Sequence, residues 1–286
     1  MPKTQATYLV PKELLGTLTA EEFRHLKRRV VAANRSMGYW YQQTGKDYTS
    51  MTTGHVSARV PGTNTFISKG RPPDRDLMSE VTLQTLVQID ISTKEKVAGE
   101  MEVGTMGEIE IHSCIYEARP DVVSVCHGHS DYVMLCGRFG LNLKTFGRDE
   151  YGIYDKPEPF GISTPERGIA VAKALRKHSI VLLKGHGAAA TVSTHSEAQK
   201  LSQEGPEDSI MRLIRLEQIC KITWLAFTAV GWDYEKYAFS DEIKEEQRTM
   251  NTRQRERHAT PCKDMTKDQC YYNAAMVKTF RDSVEC

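Results

Sequence analysis

Val122-Val123-Ser124-Val125-Cys126-His127-Gly128-His129 is the stretch on which the reading of this chain turns. Its β-branched and apolar run predicts a well-buried strand. At the strand end two histidines flank one glycine, and because side chains alternate faces with period two, both imidazoles point the same way. Gly128 lets another group approach closely. Two nitrogen donors on one face make half a metal site; read alone, the pair is equally two solvated strand-end histidines.

Outward from this strand the pattern is that of one α/β unit with a polar tail. Upstream, Thr19 and Glu22 have capping-box spacing, and Phe23, Leu26, Val30 and Ala33 recur at helical period, which predicts a helix from about Ala20 to Ser36. Gly54 to Val60 and Thr65 to Ser68 read as strands joined at Pro61-Gly62, and Leu86 to Ile91 as another. Lys69 to Pro73 reads as loop because of its adjacent prolines. Gly107 to Ala118 is helical in pattern, stopped by Arg119-Pro120. Downstream, a helix capped at Ser163 with Pro165 in its first turn runs to about Lys177. Ile180 to Leu183 and Ala188 to Val192 form a hairpin-like strand pair. From about His195 the chain reads as helix, interrupted at Gly205-Pro206, and beyond Ser240 it is rich in charge. These features predict a domain over residues 1–240 and a polar helical extension over 241–286.

Three further residues bear on the histidine pair. His186 sits between two glycines directly after an apolar strand, either as a bare ligand or as the histidine of a tight turn. Three histidines at strand ends with a position left open are what a catalytic divalent ion requires. Glu108 and His112, at i and i+4 on the preceding helix, share a face turned toward the same region. A carboxylate there serves as ligand or acid/base, or as an ordinary dipole-stabilised residue near a helix N-terminus.

The 286 residues carry 38 Lys+Arg against 37 Asp+Glu, a net charge of +1 that argues against a nucleic-acid or anionic-membrane partner. No apolar run reaches the roughly 18 residues of a transmembrane span, and Met1-Pro2-Lys3-Thr4-Gln5 leads into no signal-peptide core, so a cytoplasmic location is expected. Seven cysteines without a Cys-x-x-Cys pair point to neither a disulfide framework nor a zinc knuckle.

Taken together, Glu108-x-x-x-His112, Ala118-Arg119-Pro120-Asp121-Val122, Val125-Cys126-His127-Gly128-His129 and Leu182-Leu183-Lys184-Gly185-His186-Gly187 resemble the class II aldolase/adducin family over roughly residues 20 to 230. The resemblance implies a three-layer α/β/α fold with a mostly antiparallel central sheet. It also implies a homotetramer with active sites at subunit interfaces, and one divalent metal per subunit held by His127, His129 and His186, with Glu108 catalytic beside it. Adducin-type members keep the fold without the chemistry and typically lack part of this set; here all of it is present.

Departures from the sugar-phosphate members matter as much. Their Gly-Asn turn and Ser-Ser pair, which bind phosphate, are replaced by Thr53-Gly54-His55 and Met106-Gly107-Glu108. Gly-His resembles instead the branch that decarboxylates hydroxylated aromatic or pyridine carboxylates. His55, Ser68, Lys69 and Arg71 then become candidates to hold a carboxylate or phenolic oxygen, with a solvated basic loop as the other reading of Lys69 and Arg71. Tyr151 and Tyr154 are candidate substrate contacts or loop-packing residues. His112 either packs or orients Glu108.

The expected function is a metal-dependent carbon–carbon lyase acting on a hydroxylated aromatic or related hydroxy or keto carboxylate. The alternatives are retro-aldol cleavage of an unphosphorylated hydroxy-carbonyl compound and a non-catalytic adducin-like scaffold. Mixed imidazole and carboxylate donors suit zinc or manganese, and also iron or cobalt.

Overall fold

The structure is a computed structural model and describes residues 11–45, 53–74, 76–146, 151–154, 161–194, 205–246 and 249–250. Its strands are β1 (His55–Arg59), β2 (Thr65–Lys69), β3 (Leu86–Asp90), β4 (Lys96–Ala98), β5 (Val122–Gly128), β6 (Gly152–Tyr154), β7 (Ile180–Leu183) and β8 (Gly187–Ser193). The helices are α1 (Lys12–Leu15), α2 (Ala20–Gln43), α3 (Ile109–Ala118), α4 (Asp131–Phe139), α5 (Pro165–Leu175) and α6 (Pro206–Val230).

One sheet runs in the order β4-β3-β2-β1-β5-β8-β7-β6. Its pairings are antiparallel apart from β6–β7, which is parallel because α5 provides the crossover that parallel neighbours need. Side-chain alternation along β5 separates two cores. Cys126 packs beneath α2, α4 and α6 with Met37, Tyr41, Val133 and Leu213, whereas Val125 packs beneath α3 and α5 with Ile111, Ile115, Val171 and Leu175. The result is the expected three-layer α/β/α arrangement. His127, two residues beyond Val125, lies on the α3 side.

α2 begins where Thr19 and Glu22 form their reciprocal capping box, but it runs to Gln43, well past Ser36. Gly38 does not break it: a Cβ there would lie 2.4 Å from the Ser79 backbone nitrogen, so this glycine admits the neighbouring turn. Asn34, wholly buried, ties the helix to the sheet. Its amide nitrogen donates to the carbonyls of Val30 and Val56, and its oxygen accepts from Val56 N–H. Losing such a buried partner costs about 1–3 kcal/mol for each group left unpaired.

Several boundaries differ from the sequence reading. Lys69 ends β2 rather than opening a loop, and Arg71 forms an isolated bridge with Gly104. Thr164, not Ser163, caps α5, which stops at Leu175. The helix expected from His195 lies outside the described residues as far as position 204, and α6 starts at Pro206. Of the 241–286 extension, residues 241–246 and 249–250 are helical and the rest lies outside the described residues. No helix among the described residues is long and apolar enough to cross a membrane.

Candidate metal centre

One strand residue, two residues beside strand ends and one helix end converge at the C-terminal end of β5. His127 is the penultimate residue of the strand, His129 follows it, and His186 occupies the tight turn between β7 and β8. That turn closes because Gly185 has φ +70° and Gly187 φ +147°, backbone states that glycine tolerates. A Cβ on Gly187 would also sit 2.3 Å from the Gly128 carbonyl oxygen. Gly187→Ala is therefore expected to cost about 1–3 kcal/mol and to weaken zinc loading by displacing both histidine loops, measurable by thermal unfolding and zinc titration.

The donor atoms face one another. The Nε2 atoms of His127 and His129 are 3.0 Å apart, and those of His129 and His186 2.9 Å. Glu108 Oε2 lies 3.0, 3.7 and 3.2 Å from Nε2 of His127, His129 and His186. All four ligand atoms fall within 4.8 Å of one another. Donors about 2.0–2.1 Å from a tetrahedral zinc-sized ion are about 3.3 Å apart, so this spacing suits one small cation. The chemistry agrees, because converging imidazole lone pairs and a carboxylate repel one another unless positive charge lies among them.

His127 and His129 are braced from behind. His127 Nδ1 donates to the Ala188 carbonyl at 3.0 Å, which leaves Nε2 as the inward atom. His129 Nδ1 is hydrogen-bonded with Thr53 Oγ1 at 3.1 Å, while its backbone N–H donates to Tyr41 Oη at 2.8 Å. Burial pushes the His129 imidazole down to about 4, against the pull of Glu108, so it presents a lone pair at neutral pH. Burial alone would raise the Glu108 carboxyl, but its hydrogen bonds with His127, His129 and His186 outweigh that and hold it far below the usual carboxylate range.

Glu108 itself corrects the helical reading. It is the N-cap of α3, with φ −108° and ψ 48°, so it does not lie one turn below His112 on a shared face. Its Oε1 accepts from Ile162 N–H at 2.5 Å, leaving Oε2 to face the histidines. His112 does not orient it. Wholly buried, His112 is hydrogen-bonded through Nε2 to His55 Nδ1 and through Nδ1 to Ser57 Oγ.

The remaining candidates divide. His55 pairs with His127 across β1–β5, their ring centroids 5.3 Å apart. Arg71 keeps its side chain 49% exposed and lays its guanidinium over Gly107, where a Cβ would be 3.3 Å from both terminal nitrogens. Asp76 bridges Arg71 Nε at 3.3 Å and Lys69 Nζ at 2.5 Å. Lys69 is thereby buried and paired, not held out toward a substrate. Ser68 is also turned inward, donating to the Val56 carbonyl and to Met106 Sδ. Tyr151 packs against the α6-side core, with Oη accepting from Leu143 N–H. Tyr154 has its backbone paired with Leu183, and its side chain lies outside the described residues.

Residues 28–223 match the family model described as Class II Aldolase and Adducin N-terminal domain, and the chain belongs to that family. It is 32% identical over 229 residues to the Meiotically up-regulated gene 14 protein of Schizosaccharomyces pombe, covering 77% of this chain and 82% of that one. A 3,4-dihydroxyphthalate decarboxylase of Arthrobacter keyseri is 24% identical over 160 residues, or 51% of this chain and 62% of the relative. The fold is shared with L-fuculose 1-phosphate aldolase from Glaciozyma antarctica PI12, at a TM-score of 0.56 and 22% identity, over 76% of this chain and 80% of that structure.

Proposed function

We propose that the chain is a divalent-metal-dependent carbon–carbon lyase that decarboxylates a hydroxylated aromatic or related hydroxy or keto carboxylate. The observation that carries this reading is the convergence of the three Nε2 atoms with Glu108 Oε2. His127, His129 and His186 would hold one ion, of zinc, manganese, iron or cobalt, with Glu108 beside it. Bound there, the ion supplies Lewis-acid stabilisation of negative charge developing on the substrate.

The chain's own residues do the rest. Glu108, anchored at Oε1 by Ile162 and ionised, uses Oε2 to position the water that gives a proton to the carbon left when carbon dioxide departs. Arg71 and His55 bind the substrate's carboxylate or phenolic oxygen. Decarboxylation is supported over sugar-phosphate cleavage by Arg71 lying over Gly107, beside Glu108, where the phosphate-binding members carry serines. The decarboxylase among the relatives supports it further. By likeness to the family we also read the protein as a homotetramer with interface sites, testable by light scattering.

The test is to incubate metal-loaded protein with a panel of hydroxyaryl carboxylates and unphosphorylated hydroxy-ketones, following carbon dioxide and aldehyde separately. Carbon dioxide release that stops on chelation is expected. Aldehyde without carbon dioxide would transfer the reading to retro-aldol cleavage, and protein that takes up no stoichiometric ion would identify a scaffold.

A further inference from the structure

Behind the histidine cluster lies a run of buried polar side chains outside the candidate metal-ligand group. His55 Nδ1 and His112 Nε2 are 2.7 Å apart, His112 Nδ1 and Ser57 Oγ 2.6 Å, and Ser57 Oγ and Tyr116 Oη 2.7 Å. His112 and Ser57 are 0% exposed and Tyr116 1%, so water does not complete the hydrogen bonding of these three, while His55 at 5% lies at the end that opens toward the candidate site. Such a run can be polarised in two senses, and its far end decides which.

Tyr116 keeps its phenolic proton, because burial holds its ionisation well above the ordinary range. The acceptor within reach of that proton among the described residues is Ser57 Oγ. The Val125 backbone also hydrogen-bonds to Oη, but in the sense that favours phenolate, as a donor. Were Ser57 to donate to Tyr116, the phenolic proton would be buried with no acceptor, an expensive arrangement. Tyr116 therefore donates to Ser57, and Ser57 donates to His112 Nδ1. Neutral His112 then carries its proton on Nε2 and donates to His55 Nδ1. The His55 proton is left on Nε2, which has no partner among the described residues. The ring bearing it stands directly across β1–β5 from His127.

We propose that Tyr116, Ser57 and His112 are positioning residues that lock His55 as its Nε2–H tautomer, a permanent hydrogen-bond donor beside the metal centre that receives a carboxylate or phenolate oxygen of the substrate. The tautomer follows from the hydrogen-bond geometry together with a protonated Tyr116; the role of the N–H rests on the decarboxylase reading. One consequence is that His55 binds oxyanions and does not act as a base.

Two-dimensional proton–nitrogen spectra of the full-length, zinc-loaded, nitrogen-15-labelled protein read the tautomer directly, with His55→Gln and His112→Gln supplying the assignments. Protons on Nε2 of both residues are expected; a proton on Nδ1 of His55 overturns the proposal. Tyr116→Phe should abolish the single His55 tautomer and weaken binding of 2-hydroxybenzoate about tenfold with zinc content unchanged. Unaltered tautomer and affinity in that variant would overturn the relay, and Ser57→Ala carries the same test if Tyr116→Phe does not fold. If the parent protein shows the stated tautomer yet does not bind 2-hydroxybenzoate, the donor's role and the decarboxylase reading fail together while the tautomer stands.

Discussion

Replacing His186 by alanine is expected to strip the protein of its ion and its activity while leaving the fold in place. His186 sits in the β7–β8 turn with 14% of its side chain exposed, so its removal opens no cavity in either core. Structural zinc sites bind with about 10–16 kcal/mol shared by four ligands, so one ligand is worth roughly 3 kcal/mol, or about 10²-fold in affinity. Turnover should fall further than the roughly 10–100-fold typical of losing an outer hydrogen-bond partner, because the two remaining imidazoles no longer fix the ion. Metal analysis and circular dichroism on the same sample check both halves. Full metal content in this variant would contradict the assignment of His186.

Glu108→Gln should separate binding from chemistry. The amide oxygen can still accept from Ile162 N–H, and three histidines suffice to hold an ion in a catalytic site. What is lost is the carboxylate that positions the proton-donating water. General acid–base catalysis contributes about 10²–10⁴-fold, so carbon dioxide release should drop by that factor while bound metal persists. Parallel assays of product and metal decide the matter: unchanged turnover would remove Glu108 from the chemistry.

Which parts of this were legible in the sequence follows from how local their causes are. The α2 start was readable because Thr19 and Glu22 satisfy each other within one turn. Its end was not, because Gly38 reads as a breaker until the Ser79 backbone packs against it. Following the stripe of Val30 and Ala33 on to Met37 would have reached Tyr41, which supports His129. Short β4 and β6, and α4 with only Val133 and Cys136 buried, carry too little periodicity to announce themselves.

The three histidines were readable as candidates because strand alternation and the Gly-His-Gly turn are local geometry, while their grouping as a ligand set came from the family resemblance. The N-cap placement of Glu108 was not, since it depends on Ile162 from a distant loop. Nor was the fate of Lys69, captured by Asp76 seven residues on, or the alignment of His55, Ser57, His112 and Tyr116, which exists only once α3 packs on β1.

The central claim is that His127, His129 and His186 share one divalent ion. X-ray absorption at the metal edge, on protein loaded with zinc, measures that shell directly. The account predicts about one ion per chain with three imidazole nitrogens at about 2.0–2.1 Å. A shell with fewer than three imidazoles, or protein that retains no zinc after loading, would contradict it.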